Sequence, residues 1–194
     1  NSTAPFRIYN DEKGTIGTVY TSAIHNDYLY LGTNQGLFYK KINTIGEFTF
    51  IDGSQGQVWQ LKAIANTLFC GHNEGTFLVN KNTANLVADV QGTWNIVAIN
   101  EEEDILLQGN YNGLNIIEKT GGKWRFKNKI EGFDISSRFF DIQKNQIFVT
   151  HGSKDIFSLT VDNEYTKVVN TVKDTLVGRG LNCSIIKYND DMFY

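Results

Sequence analysis

A pair of glycines recurs along this chain together with the apolar runs on either side of it. Tyr30-Leu31-Gly32 leads to Gly36-Leu37-Phe38, and Phe69-Cys70-Gly71 leads to Gly75-Thr76-Phe77. Leu107-Gln108-Gly109 then leads to Gly113-Leu114-Asn115. The first glycines stand 39 and then 38 residues apart. A fourth copy follows 42 residues later, with His151 and Asp155 where the glycines belong. Units of this length, each holding several short strands, cannot bury their apolar faces alone and must stack on one another. A period of roughly 40 residues with several strands per unit marks a β-propeller.

The strand before each glycine pair repeats as well. WQLKAI at 59–64 matches WNIVAI at 94–99, and YTSAI at 20–24 is the corresponding strand of the first unit. Polar turns follow, at His25-Asn26-Asp27, Ala65-Asn66-Thr67, 100–104 and Lys144-Asn145. Such residues accept turn geometry and hydrogen-bond their own backbone. The glycine pairs are expected to flank hairpins, where glycine takes positive φ without steric cost. Gly32, Gly71 and Gly109 should then hold equivalent places between second and third strands.

The expected fold is all-β: a partial propeller of four-stranded antiparallel blades, forming a single domain over 1–194. The blades fall at about 14–52, 53–90, 91–130 and 131–174, with an incomplete fifth at 175–194. Inner strands are expected at 19–24, 58–64, 94–99, 137–142 and around 183–187. No segment keeps apolar residues at helical spacing over several turns. The chain closes on Met192-Phe193-Tyr194, in register with Leu29-Tyr30-Leu31, so it reads as a fragment of a longer propeller. Its open edge would be a template for self-association.

Composition narrows the function classes. A net charge of −3 gives no basic field for nucleic acid. No apolar run approaches the roughly 18 residues of a membrane span, so contact with a membrane would come only through flanking segments. Cys70 and Cys183 read as buried thiols, since their separation suits neither a metal site nor a short disulfide loop. His25, His72 and His151 have no metal-ligand spacing, and the run Glu101-Glu102-Glu103-Asp104 lacks the interleaving of a calcium loop. It reads as a solvated turn. No cofactor, metal site or catalytic constellation is expected, and the chain is read as non-enzymatic.

These motifs resemble the two-component regulator propeller repeat. LYLGTNQGLFYK at 29–40 carries its aromatic strand, Gly-Thr and glycine-led next strand. GQVWQLKAIANTLFCGHNEGTFLVN at 56–80 looks like propeller sensor regions of Bacteroidetes membrane-spanning regulators. The resemblance covers four units and part of a fifth. It implies a periplasmic sensor domain, followed in such proteins by a triple-tyrosine domain, a membrane helix and a histidine kinase or helix-turn-helix output.

In a propeller the loops leading into the inner strands and those joining second to third strands share one face. Here they are rich in Asn, Gln, Trp, Tyr and Arg, which stack on and hydrogen-bond a sugar. Five residues stand out as candidate ligand contacts: Trp59, Trp94, Tyr111, Arg138 and Arg179. Trp59 and Trp94 share a repeat position and read as packing aromatics first and a ligand platform second. Arg138 and Arg179 lie near the axis, where a cation needs a carboxylate, a ligand or water. The leading expectation is ligand sensing, with a small carbohydrate by family analogy. The alternatives are a protein-interaction scaffold and a propeller glycosidase or lyase, for which Asp134 and Asp141 are the only candidate axial carboxylates.

Overall fold

The computed structural model describes residues 9, 11, 13–151, 155–174, 184–188 and 191–193. Every regular element among them is a strand. The first blade is the meander β1 (Val19–His25), β2 (Tyr28–Thr33), β3 (Leu37–Lys41) and β4 (Thr49–Phe50). The second is β5 (Val58–Ile64), β6 (Thr67–His72), β7 (Thr76–Asn80) and β8 (Thr83–Ala88). The third is β9 (Asn95–Ala98), β10 (Ile105–Asn110), β11 (Gly113–Thr120) and β12 (Lys123–Lys129). The fourth is β13 (Phe139–Gln143), β14 (Gln146–His151), β15 (Asp155–Val161) and β16 (Val168–Asp174). A two-stranded sheet, β17 (Ile186–Tyr188) and β18 (Asp191–Phe193), follows. All pairings are antiparallel and sequential, giving a partial β-propeller.

The apolar cores lie between blades. Tyr30, Leu37 and Ile51 of the first blade meet Val58, Leu61, Leu68, Cys70 and Val79 of the second. Ile64 and Phe69 on the opposite face of that second blade meet Ile96, Leu106, Ile117 and Trp124 of the third. Leu107, Leu114 and Ile116 then turn the other way, onto Phe140, Ile147, Val149 and Leu159 of the fourth. Strands sandwiched on both faces read as continuous apolar runs rather than alternating ones. That is why Leu68-Phe69-Cys70 and Ile105-Leu106-Leu107 show no period of two.

The repeated glycines have two different jobs. Gly32 opposes Leu37, Gly71 opposes Thr76 and Gly109 opposes Leu114, so the three occupy one register position. None of the three has positive φ; Gly36, Gly75 and Gly113, the second of each pair, do. The first glycine is there for space. A Cβ on Gly71 would sit 2.4 Å from the carbonyl oxygen of Thr93, and one on Gly109 would sit 1.9 Å from that of Ser137. On Gly32 it would lie 2.4 Å from Cγ1 of Val58. Each of these neighbours belongs to the start of the next blade. The expectation of positive φ at both glycines is therefore corrected for the first.

The fourth copy is corrected too. Thr150 opposes Ile156, as Gly109 opposes Leu114, and His151 opposes Asp155, as Asn110 opposes Gly113. Thr150, not His151, thus stands where the first glycine would be. Strand starts also shift: β9 begins at Asn95 and β13 at Phe139, leaving Trp94 and Arg138 just outside the ladders. Cys183, Arg179 and Tyr194 lie outside the described residues.

The close approach at Gly109 makes a direct test. Gly109→Ala forces a Cβ into a backbone carbonyl and is expected to destabilise the chain by at least about 3 kcal/mol, the upper end for overpacking. Gly122→Ala is the control: its φ is +77° and nothing lies within 4 Å of its Cβ position. It should cost only about 1–2 kcal/mol of left-handed strain. Urea melts of the two variants check this; equal losses would contradict the close-approach reading.

Candidate functional site

The two loop types predicted to share a face are tied together by backbone bonds. In three blades the turn after the second strand donates to the loop leading into its own inner strand: Asn34 to Thr18 (3.1 Å), Asn73 to Gln57 (2.9 Å) and Tyr111 to Gln91 (3.4 Å). The same turns accept from the next blade, Gly56 donating to Gln35, Gly92 to Asn73 and Ser137 to Asn110. This rim is therefore one hydrogen-bonded belt across four blades.

One position of each inner strand aims a large side chain at the rim. In the first two blades the ladder skips from Val19 to Thr21 and from Val58 to Gln60, so Tyr20 and Trp59 are the extra residues of β-bulges. A bulge re-aims its side chain out of the pleat. Trp94 and Arg138 stand at the same register, one residue before Asn95 and Phe139, which oppose Gly109 and Thr150. The four residues form a continuous row. Tyr20 stacks on Trp59 with centroids 5.4 Å apart, and Trp59 lies against Trp94 at 4.6 Å. The guanidinium carbon of Arg138 lies 5.0 Å from the Trp94 centroid and 5.1 Å from that of Phe139.

Tyr111 closes the row from the second-to-third-strand turn. It occupies the place of Asn34 and Asn73, whose side-chain oxygens accept from the Thr18 and Gln57 amides at 2.8 Å each. Its ring lies directly over Gly92, with ring carbons 2.1 Å from where a Cβ would be. Only glycine leaves room for it there. The Tyr111 hydroxyl accepts from Trp59 Nε1 at 3.0 Å, and its ring meets Trp94 at 5.1 Å. Trp94 Nε1 in turn donates to Ser136 Oγ at 3.0 Å.

The structure thus brings together Trp59, Trp94, Tyr111 and Arg138, four of the five candidates; Arg179 lies outside the described residues. Sequence reasoning missed Tyr20, Ser136 and Phe139. Tyr20 was findable, because it precedes Trp59 by the same 39 residues that separate Gly32 from Gly71. Ser136 and Phe139 carry no repeat signal.

The charges near the rim are mostly engaged. Lys129 holds Asp134, and Asn73 donates to Glu74 at 3.0 Å. Arg138 is exposed and makes no ion pair among the described residues. His72 is buried; its Nδ1 accepts from the Glu74 amide, and burial lowers its pKa below the usual histidine value. Further down the inner strands, burial lowers the pKa of Lys62, with the Asp141 carboxylate acting against it. Burial raises the pKa of the Cys70 thiol. Glu103 lies in the exposed turn expected for its run and also accepts from the Ala65 amide at 2.8 Å, linking the second and third blades at the opposite end. Among the described residues no group of three or more His, Cys, Asp or Glu could hold a metal ion, and no helix is long and apolar enough to cross a membrane.

No family model and no curated relative matches the chain. Solved structures do, a β-propeller among them. The WD40 β-propeller domain of Doa1 superposes with a TM-score of 0.56 at 12% identity, over 79% of this chain and 54% of that one. The computationally designed Ika8 protein gives 0.58 at 14% identity, over 88% and 53%. The extracellular domain of a putative hybrid two-component system from B. thetaiotaomicron gives 0.58 at 15% identity, over 86% and 22%. The chain spans about half the length of the first two, and at these identities the likeness is one of fold.

Proposed function

We propose that this chain is the ligand-sensing propeller of a membrane-spanning signalling regulator, held in the periplasm. The row Tyr20–Trp59–Trp94–Arg138, closed by Tyr111, is its ligand face, and a glycan fragment is the ligand. The row itself carries this reading. Aromatic rings flanked by hydroxyl and guanidinium donors suit the mixed apolar and polar faces of a sugar. The likeness to the extracellular domain of a two-component system supports the location and the signalling role. The candidate carboxylates of an enzyme are engaged elsewhere, Asp134 with Lys129 and Asp141 with the Ile142 amide, which favours binding over glycoside hydrolysis.

Titrating a panel of neutral and acidic disaccharides by calorimetry tests the reading. At least one should bind, and Trp94→Ala should weaken it by about 2 kcal/mol, roughly thirtyfold, as for other anchoring aromatics. Glu101→Gln, in the exposed turn at the far end of the blade, should bind like the parent. Binding untouched by Trp94→Ala would contradict the assignment of the face.

A second reading, association through the open propeller edge, rests on exposed apolar residues at both ends of the blade series. Ile24 on β1 is 67% exposed, and Ile186 and Phe193 of the last sheet are 63% and 54% exposed. Unpaired edges and bare apolar faces template pairing with another chain. Light scattering is expected to give a dimer at high concentration, weakened by Ile24→Asp. A monomer at every concentration would rule out pairing of this chain with itself.

A further inference from the structure

We infer that the ligand of this face is an acidic sugar, one whose ring bears a carboxylate or a sulfate that Arg138 takes; this rests on the sugar-binding reading above. The two hydroxyls that receive the indole N–H groups are left with protons to give. The Tyr111 hydroxyl has already accepted from Trp59 Nε1, and Ser136 Oγ has accepted from Trp94 Nε1. Each hydroxyl keeps its own proton to give. Among the described residues neither donates it elsewhere.

Arg138 adds the charge. Its guanidinium carbon lies 5.0 Å from the Trp94 centroid and 5.1 Å from that of Phe139, and it makes no ion pair among the described residues, which leaves the N–H edge of its planar fork to give. That edge matches the two oxygens of a carboxylate or sulfate. Of the acidic side chains next to the row, Glu74 takes a bond from Asn73 and Asp134 is held by Lys129. Tyr111, Ser136 and Arg138 therefore offer donors, the last of them cationic, beside stacked rings. A neutral sugar leaves the cation unanswered. A cationic ligand finds no carboxylate in the row, whereas a ring bearing anionic oxygens satisfies all three donors.

Three disaccharides with a common backbone test this: the neutral parent, its uronic acid form and its O-sulfated form, each titrated by calorimetry against the chain, Arg138→Gln and Arg138→Lys. At least one acidic form is expected to bind about tenfold or more tighter than the parent, the gain of a charge-assisted bond. Arg138→Gln should erase that difference, and Arg138→Lys should restore only part of it, because an ammonium lacks the planar fork. The margin should shrink at high salt. Which acidic form is preferred tells carboxylate from sulfate. Equal binding of all three sugars would overturn this inference and leave the face a sugar site. An acidic preference that survives Arg138→Gln would also overturn it. No binding by any of them would remove both readings.

Discussion

The spacing between neighbouring blades is set where a backbone carbonyl or a β-branched side chain from one blade touches a bare Cα of the blade before it. Gly71 meets Thr93 and Gly109 meets Ser137 at separations no side chain could tolerate. From that contact the rest of the rim follows. With the strands so close, the loops leading into each blade reach the turns of the preceding one, and the belt of backbone bonds forms. The belt fixes the residue just after each contact point, and this is the residue whose side chain joins the row. Trp94 and Arg138 follow Thr93 and Ser137 directly. The packing rule that assembles the propeller thus also builds the aromatic row.

The row is chemically more selective than a run of aromatics alone. Its two indole N–H groups are consumed internally, by Tyr111 and Ser136, so the tryptophans present rings and the hydroxyls present protons. Gly92 allows Tyr111 to lie flat at the rim, a role filled in the first two blades by asparagines that cap backbone amides instead. The third blade has exchanged a structural side chain for one that faces the row. A propeller is open to such exchanges because each blade's cap acts locally, while the cores between blades carry the bulk of the apolar burial.

Much of the architecture was legible in the sequence because it repeats. The 39-residue offset of the glycines announced the blades, and the paired tryptophans announced the inner strands. What stayed hidden was which physical role each repeated residue plays. A glycine needed for positive φ and one needed for close approach look identical in sequence, so the first of each pair was misread. The fourth blade was misaligned by one residue because Thr150 replaces the contact glycine and its hairpin is one residue longer. At the site, the repeat pointed to Trp59 and Trp94, the turn pointed to Tyr111, and the need of a cation near the axis for a partner pointed to Arg138. Ser136 and Phe139 carry no periodic signal, and only spatial contact reveals them.

The central claim is that the rim of the inner strands, and no other surface, receives the ligand. The chain holds three tryptophans, and they separate this face from the rest: Trp59 and Trp94 lie in the row, whereas Trp124 is buried between the second and third blades. Each indole N–H gives one signal in a proton–nitrogen correlation spectrum. On saturation with a disaccharide that calorimetry shows to bind, the Trp59 and Trp94 signals are expected to move while that of Trp124 stays in place. Movement of Trp124 alone, or of none of the three at saturation, would contradict the account.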